Sequence, residues 1–140
     1  MKYLLSLCLA APLLPACHPG GNGAAQGYAC YAYINGKDSI LLQLHTEGLK
    51  VSGQLTYQLY EKDQNNGTLT GAWQGDTLRC EYQCMSEDMA SVREVIFLKQ
   101  GDALTEGFGE MDAQGEKMVF QPGTTIHFDD HMVYRKTDCQ

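Results

Sequence analysis

The densest run of side chains able to ligate a metal or move protons is His127-Phe128-Asp129-Asp130-His131. Imidazoles and carboxylates are metal ligands. Residues two apart on a strand, however, share a face without converging on one ion, and Asp129-Asp130 is a natural turn pair. A solvated turn between two strand halves is the expectation, and no metal site is assigned. Arg93-Glu94 is the second lead. It lies in Ser91 to Leu98 (SVREVIFL), whose faces are otherwise largely apolar, so one of the two charges is expected to point into the protein. An inward arginine can grip a ligand carboxylate bidentately; the alternative is an internal ion pair or a charge at the rim, since buried charges are usually paired within the protein. Tyr82 and Trp73 join Arg93 as candidate ligand contacts, although these rings, like Tyr31, Tyr33 and Tyr57, also serve to fill a core.

Catalysis finds no constellation to rest on. Gly-x-Ser-x-Gly, a phosphate loop, His-Glu-x-x-His and Cys-x-x-Cys are all absent from the sequence. The carboxylates are scattered, with no acid/base pair among them. The expectation is a protein that is not an enzyme, with no catalytic residues and no cofactor. Four of the six cysteines, Cys30, Cys80, Cys84 and Cys139, fall in the body of the chain, allowing three pairings. A Cys30–Cys139 bridge would tie the two ends of the body together. It would close a loop of about 110 residues, worth up to about 4.7 kcal/mol in the chain-entropy model. Cys80 and Cys84 sit on one face of a strand but about 13 Å apart, so they can pair with each other only if the chain bulges near Tyr82-Gln83. Otherwise they are buried thiols, or one of them partners Cys30 or Cys139.

The elements that must carry these residues are strands. Val51, Gly53, Leu55, Tyr57 and Leu59 alternate with Ser52, Gln54, Thr56 and Gln58, the period of a half-buried strand. Turn signals such as Asn35-Gly36, Gly75-Asp76 and Gly101-Asp102 punctuate such runs. The pattern predicts strands over 28–34, 39–46, 49–61, 68–74, 77–85, 92–99, 103–111, 117–121 and 125–137, with a helical turn allowed only over Ser86 to Ser91. So many short antiparallel strands leave exposed edges unless the sheet closes. The predicted fold is all-β, an up-and-down meander of eight or nine strands forming a closed or nearly closed barrel, with a two-sheet sandwich as second choice. An eight-stranded barrel is either filled by its side chains or just wide enough for one small ligand.

The N-terminus supplies an address. Met1-Lys2 precedes an apolar run, Tyr3 to Leu14, broken only by Ser6 and Pro12. A membrane-spanning helix needs about 20 apolar residues, so the run fits a secretory signal instead. It ends Leu14-Pro15-Ala16-Cys17, which resembles the lipobox of bacterial lipoproteins. That resemblance implies a signal peptide over 1–16, diacylglycerol on the Cys17 sulfur and an acyl chain such as palmitate on its new amino group. Segment 17–27 is then a Gly-rich tether and 28–140 the barrel domain. An ordinary secreted protein cut near Ala24-Ala25 is the alternative. Stable anchoring takes two lipid signals, which acyl chains on one cysteine provide. His18 stands where an inner-membrane retention signal has Asp, so an outer-membrane anchor facing the periplasm is expected, where disulfides form. With the signal removed, 9 Lys and Arg stand against 17 Asp and Glu. An acidic chain with no basic stripe is not expected to bind nucleic acid.

Over most of this length the chain resembles small lipoproteins of Gram-negative bacteria of uncharacterised activity. The resemblance rests on Cys30, Gly67 to Leu78 (GTLTGAWQGDTL), Ser91 to Leu98 and Asp138-Cys139. It implies the domain extent and the Cys30–Cys139 pairing. Gly71-Ala72-Trp73 resembles the Gly-x-Trp of lipocalins, but lies mid-chain where that family has it at the first strand. Ser52-Gly53 with Tyr57, and Lys99-Gln100-Gly101-Asp102, are similar to segments of membrane-bound lysozyme inhibitors, the first one residue out of step. The expected function is a non-enzymatic, membrane-anchored module binding a small apolar or carboxylate ligand. Inhibition of a lysozyme-like hydrolase and a structural envelope role are the alternatives, and the partners are the membrane with such a ligand or an envelope protein.

Overall fold

The computed structural model describes residues 27–62, 64–86 and 89–140. The expected signal over 1–16, Cys17 and the expected tether up to Gln26 lie outside these, whereas Gly27, expected to close the tether, already opens the first strand. Ten strands follow in order: β1 (Gly27–Asn35), β2 (Asp38–Glu47), β3 (Lys50–Gln58), β4 (Asn65–Gln74), β5 (Thr77–Ser86), β6 (Met89–Gln100), β7 (Ala103–Phe108), β8 (Met111–Gln114), β9 (Lys117–Phe120) and β10 (His127–Thr137). Eight of them close a barrel in the order β1-β2-β3-β4-β5-β6-β7-β10, each antiparallel to its neighbours, with β10 returning to β1. Closure removes the sheet edges, which is why the barrel is found and the sandwich is not. The chain from 109 to 126 leaves the wall and forms the β8–β9 hairpin, which docks on the barrel where β9 runs parallel to β6 through Val92↔Lys117 and Arg93↔Met118.

The differences from expectation are one additional strand, β8, and local changes at strand ends and within β10. The predicted strand 103–111 is split, because β7 ends at Phe108 and Met111 already belongs to β8. No helical turn occupies Met89 to Ser91, which open β6. Asp129-Asp130 is an irregularity inside β10, where the pairing with β7 slips between Phe128 and Val133. The His131 N–H donates to Asp129 Oδ1 at 2.8 Å there, the local side-chain-to-backbone bond that a short aspartate favours.

Two ends of the barrel are built differently. At one end β2–β3, β4–β5 and β6–β7 are joined by two-residue turns. Gly75, at φ 61°, takes the left-handed position that a tight hairpin requires. Gly27 begins β1 at this same end, and β10 finishes there, with Cys30 and Cys139 joined by a disulfide. At the opposite end lie the two-residue β1–β2 turn, the connection between β5 and β6, the chain between β3 and β4 and the 109–126 excursion. The two longest connections therefore both lie at this mouth, where binding residues commonly sit on a rigid scaffold.

The inward positions follow the alternation. Leu42, Leu55, Leu78, Phe97, Leu104 and Tyr134 have no measurable exposure, and they fill the middle of the barrel. Phe97 meets Tyr134 edge-on at 5.7 Å between ring centres, an arrangement that satisfies both quadrupoles.

Candidate functional site

The alternation that packs the middle delivers polar groups at the open mouth. On β7 the inward series is Leu104, Glu106, Phe108, so a carboxyl occupies an interior position and is 3% exposed. It is not orphaned. The Tyr57 hydroxyl, from β3, donates to Glu106 Oε1 at 2.8 Å, and the Tyr134 hydroxyl, from β10, donates to Oε2 at 2.5 Å. Burial raises the Glu106 pKa from its ordinary value; the two tyrosine bonds and the Arg93 charge pull the other way without cancelling it. Burial, followed by the Glu106 charge, likewise holds both tyrosine hydroxyls protonated well beyond their usual range.

Arg93, on β6, points inward, and its neighbour Glu94 points out. The Arg93 guanidinium carbon lies 5.3 Å from the centre of the Tyr57 ring and 5.5 Å from that of Tyr82, within cation–π range of both. Those two rings meet edge-on at 5.9 Å, and the Tyr82 hydroxyl donates to the Leu55 carbonyl at 3.1 Å. Among the described residues no carboxylate oxygen lies at ion-pair distance from Arg93. Glu94 instead ties down the β8–β9 hairpin. It pairs with Arg79 at 3.4 Å and accepts the Phe120 N–H at 2.9 Å, and Lys117 pairs with Glu81 alongside. The outer hairpin thereby braces the stretch of β6 that carries Arg93.

Between these groups and the rim is a cavity of about 380 Å³, about the size at which small-molecule sites begin. Ile40, Leu59, Phe108 and Met132 give it apolar walls. Arg93, Glu106, Asn65 and Ser91 give it polar ones, with the Ser91 hydroxyl 3.0 Å from the Cys84 sulfur. The interior is neither hollow along its length nor filled to the rim: among the described residues it is packed around Tyr134 and Leu55 and opens at the mouth.

Of the ligand contacts expected from sequence, Arg93 and Tyr82 meet in this cavity and Trp73 does not. Trp73 stands near the tight-turn end of β4, under the Lys99 ammonium at 6.0 Å, far down the barrel from Asn65 at the mouth. Cys80 and Cys84 are free and buried, and burial pushes the Cys80 thiol up to about 12. His127 and His131 stay exposed on the irregular part of β10, and among the described residues no three metal-binding side chains converge. Glu106 is the residue that sequence reasoning missed. Its signal was there to read, as the one charge in step with Leu104 and Phe108.

The site predicts its own pH dependence. A carboxyl whose folded pKa is raised binds more protons in the folded state than in the unfolded one between the two values, so stability falls as pH rises through that window. Glu106→Gln is therefore expected to flatten this fall. In urea denaturation it should match the native protein at acidic pH and exceed it at neutral pH. Equal pH profiles for the two proteins would show that Glu106 is not the titrating group.

No family model matches the chain, and neither a curated protein nor a solved structure does. What is defined is a class: a closed eight-stranded antiparallel barrel with a polar, aromatic-walled cavity at one mouth.

Proposed function

We propose that this is a lipid-anchored envelope protein, a member of the small Gram-negative lipoproteins it resembles, whose barrel mouth binds a small ligand without chemically changing it. The observation that carries the binding part is the mouth cavity, where Arg93 lies against two tyrosine rings and, among the described residues, has no carboxylate at ion-pair distance. The address rests on the Leu14 to Cys17 motif after its apolar run. Gly27 starts β1 at the tight-turn end, so on this reading the tether from Cys17 joins the barrel at the end opposite the mouth and leaves the cavity unobstructed by its own attachment.

Two measurements test this reading. Cys17→Ser is expected to abolish palmitate labelling and to leave the 1–16 segment uncleaved. Labelling that persists after that change would show that Cys17 does not carry the lipid. For the site, a small-molecule panel followed by NMR should give shifts gathered around Tyr57, Tyr82 and Met132. Hits confined to the outer surface would refute a ligand site at the mouth.

A further inference from the structure

We infer that the mouth cavity takes an amphipathic organic anion, its head group on Arg93 and its apolar body along Ile40, Leu59, Phe108 and Met132, and that binding takes up a proton on Glu106. The inference rests on the reading of the mouth as a ligand site, and names its ligand class and its coupling.

The chemistry of the walls selects the class. A cationic ligand would meet the Arg93 charge. A purely apolar one would strip water from the guanidinium and return nothing, which is the costly case for a charged group. An anionic head restores the lost hydration with charge-assisted hydrogen bonds, and the planar fork of an arginine suits a carboxylate or sulfonate. The Ser91 hydroxyl and the Asn65 amide share the cavity and can complete the head group's shell. The remaining walls are alkyl and aromatic, so the body of the ligand is apolar.

Proton coupling follows from what faces Glu106. Tyr57 from β3 and Tyr134 from β10 donate to its two oxygens, Tyr82 lies behind on β5, and Arg93 on β6 is the only cation among the groups acting on it. An anion seated on Arg93 cancels that one favourable charge and adds a like charge at the mouth. Both changes disfavour the ionised carboxyl. Burial already shifts this carboxyl toward its neutral form, the same direction in which the bound anion pushes it. By linkage, whatever makes the anion favour protonated Glu106 makes protonated Glu106 favour the anion.

The test uses octanesulfonate below its micellar concentration, with octanoate beside it. The sulfonate stays ionised across the pH range, so any pH dependence of its binding belongs to the protein. Calorimetric titrations in buffers of different ionisation enthalpy count protons taken up by the native protein. Sulfonate affinity is expected to fall as pH rises through the Glu106 titration, by at most roughly tenfold per pH unit for a single linked proton. Net proton uptake per ligand should be largest within that window. Arg93→Gln should weaken binding about tenfold or more at every pH, the effect of losing a charged hydrogen-bonded contact. Glu106→Gln should bind at all pH values as tightly as the native protein does in acid; should that variant fail to fold, the proton count on the native protein decides alone. Binding that needs Arg93 but takes up no proton overturns the coupling. Binding indifferent to Arg93→Gln overturns the anion seat. If neither probe binds while neutral compounds shift the mouth resonances, the ligand class falls and the site reading stands; if nothing binds at the mouth, both fall.

Discussion

Replacing Cys139 with serine is expected to lower stability by about 4 kcal/mol and the melting temperature by roughly 20 °C. The bridge joins residues 109 positions apart, with Cα atoms 5.2 Å apart, so it closes nearly the whole barrel chain into one loop. Its position adds to its weight. The first and last strands meet along β1–β10, where only Cys30↔Thr137, Tyr31↔Lys136 and Ala32↔Arg135 are in register. That is the shortest of the pairings that complete the wall, so the covalent link lies where the sheet does least to hold itself shut. Denaturant titrations with and without reductant measure the effect. Cys30→Ser should reproduce it, and both variants should lose their sensitivity to reductant. Cys84→Ala should keep that sensitivity, because its thiol is free. A loss below about 1 kcal/mol would show that β1–β10 closes without the link, contrary to the loop-entropy expectation.

What the sequence made legible follows from which forces are local. Strand alternation is a local record of a buried face, and the turns at Gly48, Gly75 and Gly101 are local chemistry, so the hairpins came out close to their observed limits. The barrel followed from an argument about edges. The outer hairpin was legible only in its second strand, β9, expected over 117–121. β8 was not, because Met111–Gln114 buries almost nothing of its own and is held by its pairing with β9 and by the Gln121 amide donating to Asp112, while Glu94 and the parallel pairing with β6 dock β9. The site was legible by half. That one of Arg93 and Glu94 must turn inward is visible in an apolar run; which one depends on the phase of β6 against β5, set by Tyr82↔Arg93 and Glu81↔Glu94. Trp73 looked like a companion to Arg93 because composition carries no coordinate along the barrel. Its place at the far end is fixed by Trp73↔Leu78, one pair from the tight turn. Glu106 escaped because its partners, Tyr57 and Tyr134, stand 49 and 28 residues away.

The inward glycines show the same limit and carry the second large expectation. Gly53 and Gly71 keep step with the apolar face of β3 and β4, which an alternation count reads simply as small residues in a core. In the folded barrel they are where the backbone of the neighbouring strand approaches too closely for a side chain. A Cβ added at Gly71 would lie 2.1 Å from the Arg79 carbonyl oxygen and 2.6 Å from the Cys80 sulfur. The sulfur belongs to a side chain that can be shortened. The carbonyl belongs to the neighbouring strand and can yield only if β4 and β5 move apart. Overfilling a core ordinarily costs about 1–3 kcal/mol, and an obstruction made of backbone belongs at or above the top of that range. Gly71→Ala is thus expected to cost about 3 kcal/mol or more, read from urea unfolding, while Thr70→Ala on the exposed face of the same strand should change stability little. The decisive comparison is Gly71→Ala combined with Cys80→Ala. If the carbonyl is the obstacle, removing the sulfur restores nothing and the two losses accumulate. Recovery in the double variant would mean that the thiol alone had filled the space, and that the close approach of β4 and β5 does not depend on a residue without a side chain.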